Sequence, residues 1–178
     1  AGEPLAALRA RAEDYAPGDT DLGWTRLTGW RSLLAAAFDT VRARATEARV
    51  SAEPHNVSAV LLAGWFRDRL GVEPEVVDSR GPGITEVRIG FDDSTELAVT
   101  RGDGTNAVLH HTGAPDRDLS LPRRTIGEQL AEELRRLDPD QPYAAALGAA
   151  TGLSGLNERS RVRVHEWRDP HPEPIGAS

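Results

Sequence analysis

The chain has 178 residues, 39 % of them apolar and 28 % charged, which suits one compact soluble domain with a core of its own. A net charge of −7 and a pI near 5.2 argue against nucleic acid or an anionic membrane as the main partner, because both need a basic footprint. There is no cysteine, and all 21 basic residues are arginine, so disulfides, thiolate chemistry, Schiff-base lysines and phosphate-loop lysines are excluded.

Pro4 to Glu13 has helical composition, with Leu5 and Leu8 on one side. Pro17 and Gly18 predict a turn over Tyr15 to Thr20, and Asp19, Thr20 or Asp21 can cap the helix that follows. From Leu22 to about Thr46 the apolar spacing is helical: Gly23, Leu27, Trp30, Leu34, Ala37 and Val41 recur in steps of three or four, with Phe38 beside them. At 100° per residue Trp24 and Arg31 fall together at one edge of this stripe and Arg26 at the other. A break at Thr28-Gly29 would cancel that angular reading. Arg49 to Glu53 is a short candidate strand. Pro54 is placed for a first helical turn, and Val57, Val60, Leu61, Gly64 and Trp65, widened by Leu62 and Phe66, give a buried helix stopped by Gly71.

The middle of the chain reads as β structure, with candidate strands Glu73–Asp78, Ile84–Phe91, Thr95–Thr100, Ala107–Thr112 and Asp118–Leu121. Gly81-Pro82-Gly83, Asp92-Asp93-Ser94, Gly102-Asp103-Gly104 and Gly113-Ala114-Pro115 separate them. Such short separations favour an antiparallel meander, and the preceding strand–helix–strand unit can add a parallel pair. Thr125 and Glu128 form a capping box for a helix whose apolar stripe is Ile126, Leu130, Leu134 and Leu137. Asp138-Pro139 ends it, and Gln141 to about Ala150 reads as another short helix. The expected class is α/β (α+β): a mixed, largely antiparallel sheet of about five strands packed against helices, spanning residues 1–152. Residues 153–178 read as an irregular tail with an edge strand at Arg161–Trp167.

Few residues point to catalysis. His110-His111 would place its imidazoles on opposite faces of a strand. The Asp92-Asp93-Ser94 and Asp103-Gly104-Thr105-Asn106 stretches read as hairpin turns, since they lack the alternating oxygen ligands and distal glutamate of a calcium loop. Gly81-Pro82-Gly83 opens no helix and is not a phosphate loop, although Arg80 beside it can contact an anion. Asn56-Val57-Ser58 fits a glycosylation sequon but falls in a buried helix. No serine occupies a nucleophile elbow, and no metal cluster or cofactor motif is visible. The chain therefore reads as non-enzymatic, with neither metal nor cofactor.

Two arginine groups stand out as binding candidates. One lies in Asp21–Arg31, which holds two of the four tryptophans; there Trp24, Arg26 and Arg31 are candidate partner contacts and Trp30 is assigned to the core. The other is Leu121-Pro122-Arg123-Arg124, where guanidiniums between a strand end and a capped helix can grip a carboxylate or phosphate bidentately.

Asp19–Arg31, Leu61–Gly71, Gly81–Ile84, Leu121–Arg124 and Glu132–Asp140 together resemble, in the same order, the C-terminal half of the OpcA family of glucose-6-phosphate dehydrogenase assembly proteins. The resemblance covers about residues 4 to 150. It implies a non-catalytic regulatory protein that binds glucose-6-phosphate dehydrogenase and promotes its assembly and allosteric activation, in the pathway that supplies NADPH. It also implies an N-terminal half beyond this chain, in keeping with a start at Ala1-Gly2-Glu3-Pro4 and no methionine. Thioredoxin-type control through this domain is disfavoured by the missing cysteines. The contrasting reading is a sensor in which Arg80, Arg123 and Arg124 clamp a phosphorylated sugar or nucleotide. No apolar run approaches the ~20 residues that cross a bilayer, no signal peptide is visible, and the expected location is the cytoplasm.

Overall fold

The computed structural model describes residues 2–102, 105–136 and 138–162. Helices α1 (Gly2–Glu13), α2 (Leu22–Thr25) and α3 (Thr28–Phe38) precede strand β1 (Ala45–Ala52), helix α4 (Val57–Leu70) and strand β2 (Glu75–Asp78). Strands β3 (Ile84–Phe91), β4 (Glu96–Arg101), β5 (Asn106–His111) and β6 (Arg117–Ser120) follow, then helices α5 (Ile126–Arg135) and α6 (Gln141–Thr151).

The fold is α/β, with one six-stranded sheet in the order β2-β1-β3-β4-β5-β6. Every pairing is antiparallel except β1 with β2, which runs parallel across the α4 crossover. The meander and the parallel pair thus both follow the sequence reading, with one strand more than the expected five. Period-two alternation gives the sheet one inward face. Val50, Val87, Val99 and Leu109 face one another across four strands, and Ala48, Ile89 and Leu97 form the neighbouring row. All seven are buried in the core with Leu34, Leu61, Leu62 and Phe66 from α3 and α4. The opposite face is polar, and there Arg88 bridges Glu86 and Glu96 at 2.6 and 2.5 Å.

Three boundaries differ from the sequence reading. The expected helix from Leu22 to Thr46 is broken at Arg26-Leu27, two residues before the anticipated Thr28-Gly29 break, and it stops at Phe38. Thr40 and Val41 are β-branched and disfavour continuation; the Thr40 hydroxyl instead bonds the Ala37 carbonyl at 2.8 Å. The residues beyond join β1, which starts at Ala45 where Arg49 was expected. Pro54 lies outside α4: Asn56 is the cap, its side chain accepting from the Ala59 amide at 2.9 Å. The sequon asparagine is therefore engaged in capping. Gly71 ends α4 in the left-handed conformation at φ 66°, as expected.

Within the segment read as an irregular tail, Leu156 is buried in the core and Arg159 donates to the carbonyls of Ala12, Glu13 and Tyr15. The described part of that segment is thus packed onto α1. Leu137, Asp103-Gly104 and most of the expected edge strand at Arg161–Trp167 lie outside the described residues.

Candidate functional site

The Asp21–Arg31 segment folds as two short helical pieces around a cap. Asp21 accepts from the Gly23 amide at 2.7 Å and holds Arg11 at 3.0 Å. The break after Thr25 turns Trp24 inward, so Trp24 is only 1 % exposed. Its indole Nε1 donates to Asp140 at 2.9 Å, and that same carboxylate caps α6 through the Tyr143 amide. Trp24, expected at a recognition edge, is therefore an internal strut; the straight-helix angle that placed it outside does not survive the break. It does meet Arg31, whose guanidinium stacks 3.8 Å above its ring. Arg31 is half-buried, and burial lowers its pKa to about 10 despite the opposing charge of Asp140. Trp30 is core, as assigned.

Helix α5 packs against this segment through its polar side. Gln129 is 2 % exposed, accepts from Arg26 Nε at 2.9 Å and donates to the Arg124 carbonyl at 2.9 Å. Glu133 accepts from the Thr25 hydroxyl at 2.6 Å and from Thr20, and Glu132 accepts from Thr28 at 3.0 Å and pairs with Arg124 and Arg136. With its polar side turned inward, the apolar stripe must face out. Ile126, Leu130 and Leu134 are 59, 46 and 79 % exposed. The described part of the apolar stripe read from the sequence thus faces solvent. The capping box at Thr125 and Glu128 is present in both directions, so the helix is held in place without burying that stripe.

Between the start of α5, α2–α3 and the β2–β3 loop lies a cleft of about 380 Å³. Arg26, Arg123 and Arg124 line it, together with Arg101. Arg80 is exposed on the β2–β3 loop and does not line the cleft, so the structure does not bring it together with Arg123 and Arg124. Arg101 was missed by the sequence reading. It ends β4 on the inward face, two residues after Val99 and opposite Ala107, and is 8 % exposed. Its Nη2 donates to the Ile84 carbonyl at 3.0 Å, and its guanidinium lies 5.1 Å from the Trp30 ring centroid. Burial and the nearby charge of Arg123 lower its pKa to about 10. Gly83, at φ +67°, makes room for both cations: a Cβ there would stand 3.0 Å from Arg123 Nη1 and 3.6 Å from Arg101 Nη2. The alternation Leu97, Val99, Arg101 was the available signal, since it places a cation on the buried side of a strand.

His110 bonds Asp116 at 2.7 Å on the exposed side of β5. Among the described residues no group of three or more histidine or acidic side chains is arranged to hold a metal ion, and no helix is long and apolar enough to cross a membrane.

Among solved structures, the chain is similar to KijD10, a 3-ketoreductase from Actinomadura kijaniata in complex with NADP, with a TM-score of 0.50 and 9 % sequence identity. That match covers 82 % of this chain and 65 % of the ketoreductase, and likeness at this identity concerns the fold alone. No curated protein matches the sequence. Residues 17–147 match the family model for the C-terminal domain of the glucose-6-phosphate dehydrogenase subunit OpcA. They span α2 through most of α6, and so include both the outward stripe of α5 and the arginine cleft. The chain belongs to this family of OpcA-type C-terminal domains.

Proposed function

We propose that the chain is a non-catalytic regulatory module that binds glucose-6-phosphate dehydrogenase and favours its assembled, active form. Membership of a family described as a domain of a glucose-6-phosphate dehydrogenase subunit supports this choice of partner, and the outward stripe of α5 is the observation that carries the reading. Three large apolar side chains at i, i+4 and i+8 are left in solvent on a helix whose other side is fixed by hydrogen bonds. A stripe of this kind suits docking of a helix into an apolar groove. Arg124, exposed just before α5, can add a charged contact at the rim. Activation then follows from differential binding: a tenfold preference for the active assembly, ~1.4 kcal/mol, shifts the population tenfold.

Leu134→Glu tests this directly. Leu134 is 79 % exposed, so its replacement should change the domain's stability by less than about 0.5 kcal/mol. The variant should lose co-elution with purified dehydrogenase and lose any effect on that enzyme's kinetics. Undiminished co-elution by a folded Leu134→Glu protein would remove α5 from the interface.

A further inference from the structure

The arginine cleft opens beside the start of α5 and shares Ile126 with the outward stripe, while its inner cations, Arg101 and Arg123, come from β4 and the β6–α5 loop. Burying two like charges side by side is costly unless an opposite charge joins them. Arg101 and Arg123 are crowded around the same point above Gly83. Arg101 Nε and Arg123 Nη2 are both buried without a hydrogen-bond partner among the described residues. Arg26 and Arg124 stand on the walls, while among the described residues Glu53 is the single acidic one of the lining. The carboxylate of Glu53 is already engaged, accepting from Asn56 at 3.0 Å. Arg124 is paired with Glu132 and Arg26 bonds Gln129, whereas the buried donors of the cleft that lack a partner among the described residues are on the inner pair.

We propose that this cleft binds a small phosphate monoester, its phosphate held between the guanidiniums of Arg101 and Arg123. A phosphate monoester carries close to two negative charges at neutral pH, which matches two converging cations better than a single carboxylate does. A volume of about 380 Å³ exceeds what a bare ion needs and lies at the small end of organic-ligand sites. Leu27, Trp30, Ile84 and Ile126 supply apolar wall for the organic part. The unpaired inner donors explain why the protein keeps the buried Arg101 beside the half-buried Arg123: the cost of that pair in the free protein is recovered when the dianion binds.

Calorimetric titration of the chain alone, at fixed ionic strength and with chloride as control, tests the site with inorganic phosphate, a hexose 6-phosphate and a nucleoside 5′-monophosphate. Saturable binding is expected for phosphate, tighter for whichever monoester fills the apolar wall. Arg123→Gln should weaken it roughly ten- to a hundredfold, the loss of charge-assisted hydrogen bonds, and Arg80→Gln should leave it unchanged. Without ligand, Arg123→Gln should melt at or above the parent temperature, because it relieves repulsion on Arg101. Any of three results overturns the proposal: no saturable binding of any probe, equal binding by Arg123→Gln, or a lower melting temperature of that variant in ligand-free buffer. The experiment contains no dehydrogenase, so its outcome is independent of the proposed partner.

Discussion

Trp24 shows how one side chain can carry the geometry of a neighbourhood. Its ring packs 5.8 Å from Tyr143, supports Arg31 from below and donates to the carboxylate that caps α6. Phenylalanine at this position keeps most of the apolar surface and removes the donor. Trp24→Phe should therefore cost about 2–3 kcal/mol, the sum of a hydrogen bond to a charged acceptor and a small void, measured by urea denaturation. Its affinity for the dehydrogenase, measured where both proteins are folded, should stay within a factor of about two, because a buried strut moves stability more than contact. A recognition residue would give the reverse pattern. The sequence could not distinguish the two roles. The Trp24–Arg31 neighbourhood follows from spacing alone, but whether that edge faces solvent depends on a helix break two residues after the tryptophan.

At the scale of elements, the Thr125–Glu128 capping box and the Gly71 stop at positive φ were legible because each rests on local chemistry. Asn56 and Asp140, which cap α4 and α6 through their own side chains, were not read as caps, because Pro54 and Asp138-Pro139 beside them are the stronger boundary signals. The orientation of α5 was not legible. Periodicity shows that a helix has an apolar side, but not whether that side meets the core or a partner. Here the polar side found buried partners in Thr25, Arg26 and Thr28, and the inversion follows from those bonds. The capping box makes the helix sensitive to acid. The Glu128 carboxyl is held below its ordinary value of 4.5, first by the Thr125 backbone amide, then by the Thr125 hydroxyl and the charge of Arg124. A depressed acid contributes stability above its unfolded pKa and loses it as pH falls through the folded value. The start of α5 should therefore fray on acidification below the ordinary glutamate range, seen as faster amide exchange at Glu128. Glu128→Gln, which keeps a capping acceptor without the titration, should flatten that dependence; a profile of the Glu128→Gln variant parallel to the parent would show that another group titrates there.

Across the whole molecule, α4 joins the layers, since it crosses from β1 to β2 and packs its other side on α6. The sequence announced its burial through an apolar surface nearly all round, but Gly64 read only as one more position of the stripe. Its role is to let two backbones meet. A Cβ at Gly64 would lie 2.2 Å from the Ala146 carbonyl oxygen and 2.8 Å from Ala150 Cβ, and a backbone carbonyl in a packed helix cannot step aside cheaply. Alanine gains ~1 kcal/mol of helix propensity over glycine, while overpacking a core costs typically ~1–3 kcal/mol and more where backbone must shift. The steric effect wins: Gly64→Ala should lower stability by about 2 kcal/mol net, spread over one cooperative transition because the helix pair and the sheet share a core. Gly127 in α5 supplies the control, since nothing lies within 4 Å of a Cβ placed there and alanine should stabilise by about 0.5–1 kcal/mol. Opposite signs for the two substitutions in the same urea titration identify the α4–α6 crossing as the tight joint of the fold. A stabilising Gly64→Ala, equal in sign to Gly127→Ala, would mean that the helices can separate without loss, and that the close approach at Gly64 is not what holds the two layers in register.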